Sequence, residues 1–155
     1  MSIISYILIT IPEILITSFI GLQLVGVKGR FGDYLKIALL YTFGLWLTRE
    51  VFNLYGLHFL LVLAILVLVF KFILRINWLL SFLATIIGFM ILGISETITF
   101  NLASGLLELT FDEIRSNTFL FYLLAYLSQA FLVVIGGIIY RYNYRLIDSS
   151  TVKSP

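Results

Sequence analysis

Apolar residues in this chain run in blocks too long and too unbroken for strands. Residues 60–70 are continuously apolar, with none of the in–out alternation that a transmembrane strand shows over about ten positions. Five blocks of this kind, 3–25, 34–52, 57–74, 78–102 and 118–140, are separated by short polar breaks. Each predicts one membrane-crossing helix, because roughly 20 residues at 1.5 Å per residue cover about 30 Å of hydrocarbon.

The breaks carry turn and capping chemistry. Residues 26–33 hold three glycines with Lys28 and Arg30, and Asn53-Leu54-Tyr55-Gly56 reads as a tight turn. Lys71 stands where it snorkels to headgroups, and Trp78 stands as an interfacial anchor. The long polar interruption is 105–117. Thr110 with Glu113 three positions on forms a capping box there, and Leu107, Phe111 and Ile114 share one face. This predicts a short amphipathic helix on the outer membrane surface, bearing Glu108, Asp112, Glu113 and Arg115.

Polar and small residues inside the blocks recur at steps of three and four. Tyr6, Thr10, Glu13, Thr17 and Gly21 mark one face of the first block. Thr85, Gly88, Leu92, Glu96 and Thr99 mark the fourth, and Tyr122, Tyr126, Gln129, Val133, Gly136 and Tyr140 the fifth. Such faces point into a bundle rather than at lipid. The third block has no polar face and is expected to border lipid. Pro12 lacks the N–H that would serve the carbonyl of Leu8, so the first helix should bend there. The stretch Gly93-Ile94-Ser95-Glu96-Thr97-Ile98-Thr99 is read as the element around which the other spans are organised.

Composition agrees with this pattern. The chain is 61% hydrophobic and 12% charged, with a mean hydropathy of +1.12. The fold class is therefore all-α, a polytopic membrane bundle of five spans plus the interfacial helix. It forms one transmembrane domain over 1–146, with a short polar tail over 147–155. The absence of cysteine excludes disulfides and thiolate chemistry. A net charge of +2 without a basic block argues against nucleic acid. The N-terminus lacks a basic region followed by a cleavage site, so the first block is expected to remain as a span.

Basic residues set the expected orientation. Lys28, Arg30, Lys36, Lys71, Arg75, Arg141 and Arg145 fall on one side of a five-span topology, against Arg49 and Arg115 on the other. This bias places the N-terminus outside and the C-terminus in the cytoplasm of a cell membrane.

Charges within hydrocarbon cost several kcal/mol, roughly +2.5 to +3.5 on insertion scales, and mark sites or paired links. Glu13, Arg49, Glu50 and Glu96 all fall in the outer half and form the expected ligand-binding set, with Arg49 the partner for either buried carboxylate. The bland alternative is an interhelical ion pair that fixes packing. His58 stands alone and is read as an interfacial residue, so no metal site is expected. There is no His-Glu-x-x-His, no phosphate loop and no Gly-x-Ser-x-Gly elbow; no catalytic residue, cofactor or enzymatic activity is expected.

Four segments carry a family likeness: Ile11-Pro12-Glu13, Gly21-Leu22-Gln23-Leu24-Val25-Gly26-Val27-Lys28, Gly93-Ile94-Ser95-Glu96-Thr97 and Tyr140-Arg141-Tyr142-Asn143-Tyr144-Arg145-Leu146. Together they resemble the membrane sensor region of bacterial receptor histidine kinases of the accessory-gene-regulator type, and free-standing versions of it. The likeness covers nearly the whole chain through short motifs. In such receptors the last span feeds a cytoplasmic dimerisation helix and an ATP-binding domain, whereas this sequence runs only fifteen residues past Tyr140. The resemblance implies a non-enzymatic module of bacterial signal transduction. It would detect a small ligand or peptide at an outer-facing polar pocket, and act through a membrane or cytoplasmic protein partner or as a homodimer. The residues leave two alternatives open. One is a small transporter, or a substrate-binding transporter subunit, using Glu13 and Glu96. The other is a structural subunit of a membrane complex.

Overall fold

The computed structural model describes residues 3–51 and 58–147. The tight turn read at 53–56 and the tail beyond 147 lie outside the described residues. Among the described residues six α-helices follow one another: α1 (Ile3–Leu24), α2 (Phe31–Trp46), α3 (His58–Leu74), α4 (Trp78–Leu107), α5 (Phe111–Ser116) and α6 (Thr118–Tyr142). A π-helical turn, Leu47–Val51, continues α2. Among the described residues there is no strand.

Helix ends form where the local chemistry calls for them. Gly26 takes φ 76° just past α1, and the Val27 N–H closes on the Leu22 carbonyl at 2.9 Å. That left-handed stop suits glycine, which has no Cβ to clash. Asn143 ends α6 in the same way, with φ 50° and the Tyr144 N–H on the Ile139 carbonyl at 3.1 Å. Asn77 and Asn117 cap α4 and α6 by accepting from the N–H groups of Leu79 and Leu120, each at 3.1 Å.

Among the described residues, three helices are long and apolar enough to cross a bilayer: Ile7–Leu24 within α1, all of α4, and all of α6. They mark the chain as a membrane protein. The apolar part of α3, Phe59–Leu74, is shorter. Outward faces carry Leu39, Leu40, Phe43, Phe72, Met90, Ile94, Phe131 and Val134, all exposed, as contact with hydrocarbon requires. With 30 residues, α4 is roughly 45 Å long at 1.5 Å per residue, more than the ~30 Å of hydrocarbon. The expected end near residue 102 is therefore corrected to Leu107. Ser104 and Gly105 continue the helix rather than open the loop.

The centre of the bundle is α1, not α4. It packs against α2, α4 and α6, and its Ile14, Ile20 and Leu22 are wholly buried. Small residues permit the closest crossing. A Cβ on Gly21 would collide with the Ala84 carbonyl oxygen, and one on Gly88 would lie 3.0 Å from the Thr17 carbonyl oxygen. Thr17 and Gly21 thus face Ala84 and Gly88, two small residues four apart on each of two antiparallel helices.

Pro12 explains why α6 lies alongside α1. It leaves the Leu8 carbonyl without its helical donor, and the Tyr126 hydroxyl donates to that oxygen at 3.1 Å. One residue on, the Gln129 side-chain amide donates to the Ile9 carbonyl at 3.0 Å. The tyrosine stripe of the fifth block is thus partly a patch over a proline break. We expect Tyr126→Phe to cost about 1 kcal/mol, the usual net worth of one hydrogen bond. In a Pro12→Ala background, where the substituted residue supplies the missing N–H, the same change should cost much less. Thermal unfolding of the four proteins of this cycle measures the difference. Equal costs in both backgrounds would show that Tyr126 does not serve the proline break.

The short helix α5 has the expected capping box. The Glu113 carboxylate accepts from the Thr110 N–H at 2.7 Å and from its hydroxyl at 2.8 Å, while the Glu113 N–H reaches the Thr110 hydroxyl at 3.4 Å. Ile114 is buried among Ala103 and Leu124, with Phe100, Leu109 and Leu120 beside them, so α5 is clamped onto α4 and α6. The Thr110 bonds hold the Glu113 carboxyl below the usual carboxylate range. A lowered folded value means the cap stabilises α5 above the ordinary carboxylate pKa and loses this as pH falls through the lowered value. Amide protection of α5, corrected for intrinsic exchange, should therefore drop on acidification. Glu113→Gln should flatten that dependence.

Candidate functional site

The bundle end where α1, α3 and α6 begin and α2 and α4 finish is not filled. A cleft of about 1120 Å³ opens there. Helix α1 contributes Ile9, Thr10 and Glu13; α2 and its π turn contribute Tyr41, Leu45 and Arg49; α3 contributes Phe59 and Val62. One flank of α4 supplies Phe89, Gly93, Glu96, Thr97, Phe100 and Asn101. Phe111 of α5 and Thr118, Phe121 and Tyr122 of α6 close the far side.

Local structure aims the charged groups. Glu13 directly follows Pro12, where the altered hydrogen bonding of α1 is met by α6. Arg49 sits in the π turn, whose extra residue rotates the following side chains relative to a regular helix. The Thr48 hydroxyl closes that turn with 3.0 Å bonds to the Gly44 and Leu45 carbonyls. Glu96 lies one position off the buried stripe of α4, which runs through Ser81, Thr85, Gly88, Leu92, Ser95 and Thr99. Ser95, not Glu96, makes the interhelical link. Its hydroxyl donates to the Ser128 carbonyl at 2.9 Å and lies 3.1 Å from the Ser128 hydroxyl. The placement of Glu96 on the packing stripe is thus corrected by one position, and Ser95 and Ser128 join the buried contacts. The spacing of Ser95 from Thr99 and Leu92 is the signal in the sequence that marks it.

Three of the four expected site residues therefore meet in one cleft. Glu13 is half-buried and Glu96 exposed on the cleft wall. Glu13, Arg49, Glu96 and the Tyr41 phenol all line the cleft. Glu50 follows Arg49 in the π turn, but its side chain lies outside the described residues, as do those of His58 and Arg115. Among the described residues no three His, Cys, Asp or Glu side chains gather as a metal site would need.

The rest of the lining is aromatic, a feature that residue spacing does not assign. Phe89 packs against Tyr41 and Phe59, with ring centres 6.2 and 5.9 Å apart. Phe100 packs against Phe111 and Phe121 at 5.7 and 6.1 Å. These residues come from five different helices, so their convergence depends on the packing and not on any local pattern.

The basic residues Lys28, Arg30, Lys71 and Arg75 lie toward the opposite end of the bundle, where Lys71 holds its ammonium 5.7 Å from the Trp78 ring centre. No family model, curated protein or solved structure matches this chain.

Proposed function

We propose that the chain is a non-enzymatic sensory module of a bacterial cell membrane, with the cleft as its ligand-binding site. The observation that carries this reading is the meeting of Glu13, Arg49 and Glu96 in one aromatic-walled cleft. A concave site with a few convergent polar groups is the usual form of a small-molecule pocket. A purely structural ion pair gives no reason for the open volume beside it. In this reading α2 and α3 complete a five-span topology, α5 lies at the outer surface, and the cleft faces outward. The N-terminus is outside and the C-terminus cytoplasmic, consistent with the basic bias and with the likeness to accessory-gene-regulator-type sensor regions. Signal passes to a membrane or cytoplasmic protein partner, or between two copies of the chain.

The lack of cysteine makes the test direct. Thr97→Cys should react with a membrane-impermeant maleimide in intact cells, and Lys28→Cys only after permeabilisation. The reverse pattern would overturn the orientation. For the site, a Glu96→Gln gene is returned to a deletion strain. Membrane abundance should match the natural chain, while the transcriptional difference between deletion and parent strains should stay unrepaired. Full repair by Glu96→Gln would remove Glu96 from the site. A transporter is the second reading, favoured by two carboxylates from different helices in one cleft; uptake or counterflow in vesicles containing only this chain would support it.

A further inference from the structure

We infer that the cleft takes a lipophilic organic cation and gives up a proton to do so. This rests on the reading of the cleft as a ligand site and narrows the ligand to one chemical class.

The argument is a count of charge. The charged side chains described in the cleft are Glu13 on α1, Glu96 on α4 and Arg49 on the π turn after α2. The other titratable groups described there are the phenols Tyr41 and Tyr122, and the described lining from α3 and α5 is Phe59, Val62 and Phe111; the side chains of Glu50, His58 and Arg115 lie outside the described residues. Among the described residues, two carboxylates stand against one guanidinium, one positive charge short of balance. Uncompensated charge between membrane helices is costly, and two carboxylates that feel one another readily share one proton. A proton therefore completes the empty site. A ligand bearing one positive charge completes the filled site, and the carboxyl proton leaves to water.

The walls fit the same ligand. Ring faces attract cations, and Phe59, Phe89, Phe100 and Phe121 offer apolar contact to the body that carries the charge. The cleft, at about 1120 Å³, lies just above the roughly 300–1,000 Å³ of common drug-sized sites. A bare inorganic cation would leave most of it unfilled.

The test uses three probes of similar shape: tetraphenylphosphonium, neutral triphenylphosphine oxide and anionic tetraphenylborate. The full chain is placed in lipid nanodiscs, and heats of binding are measured from about pH 5 to pH 9 with empty nanodiscs subtracted. Tetraphenylphosphonium should bind tightest of the three. On the acid side its affinity should rise about tenfold per pH unit, the slope for one displaced proton, and then level off. Comparison of buffers with different ionisation heats should show one proton released per cation. Glu96→Gln, on the exposed side of the cleft, should weaken binding at least tenfold and flatten the pH dependence. Glu113→Gln, a surface cap, should change neither. If Glu13→Gln fails to give folded protein, Glu96→Gln alone carries the comparison. Cation binding that ignores pH, or that equals tetraphenylborate binding, would overturn the inference. So would preference for the neutral probe; if that preference is lost in Phe100→Ala, the cleft remains a ligand site of another class. Binding of none of the three ends the inference and leaves the ligand-site reading to the complementation test.

Discussion

Gly21→Leu should prevent the bundle from assembling. The space beside Gly21 is occupied by the backbone of α4, since even a Cβ there would strike the Ala84 carbonyl oxygen and come within 3.3 Å of the Gly88 nitrogen. Backbone cannot rotate away as a flexible side chain does. Helices α1 and α4 would have to separate, and α1 also carries the contacts to α2 and α6. Overpacking typically costs about 1–3 kcal/mol and sometimes more. We expect that range for Gly21→Ala and a larger loss for Gly21→Leu, enough to remove a monodisperse peak in gel filtration. Gly137→Ala on α6 is the control, with nothing within 4 Å of the added methyl; it should stay within about 0.5 kcal/mol of the natural chain. A Gly21→Leu protein with unchanged melting temperature would mean that α1 and α4 do not cross as described.

Arg49→Gln should be the most damaging change within the cleft, and a second change should repair it. Removing the guanidinium leaves two carboxylates, Glu13 and Glu96, in one cleft with no other cation among the described residues that line it. Breaking one partner out of a fully buried ionic group costs about 3–5 kcal/mol, and an open cleft brings this toward the lower end. The double variant Arg49→Gln/Glu13→Gln removes one negative charge as well. It should recover more than half of the lost stability, measured as thermal midpoint in the same detergent. Additive losses in the double variant would show that Arg49 and Glu13 do not act as one unit.

Much of this architecture can be read from the sequence because the features are local. Apolar runs, Asn77, Thr110 with Glu113, and Gly26 each act over one or two turns, and the helices start and stop near them. The longer reach of α4 to Leu107 escapes such a reading because Ser104 and Gly105 look like loop residues when taken alone. In the fold they lie beyond the hydrocarbon-length part of a helix held by α5 and α6. Glu13, Arg49 and Glu96 can be expected together from helix alternation and depth. What cannot be read is which helix sits in the middle. The close approach of Gly21 to Ala84 decides that, and small residues on α6 offer the same signal at Gly136. The aromatic wall depends on helix rotation, and the π turn at Leu47–Val51 changes that rotation without a distinctive sequence mark.

The hydrogen bonds that join α1, α4 and α6 divide the molecule mechanically. Tyr126 and Gln129 tie α6 to α1, Ser95 ties α4 to α6, and the Leu146 N–H reaches the Leu24 carbonyl at 2.7 Å at the far end of the bundle. These are directional bonds, and they hold only in one register. Helices α2 and α3 meet the rest largely through Ile37, Ala38, Val62, Leu66 and Phe70, apolar side chains with no preferred register of their own. Between the two parts apolar side chains pack on apolar side chains, and the Arg49 side chain lines the cleft from the α2 side. The cleft lies along that seam, with Tyr41 and Phe59 on one side and Glu13 and Glu96 on the other. A molecule drawn into the seam would act as a wedge between the apolar-packed pair α2 and α3 and the hydrogen-bonded trio, which is pinned to the post-α6 segment at Leu146.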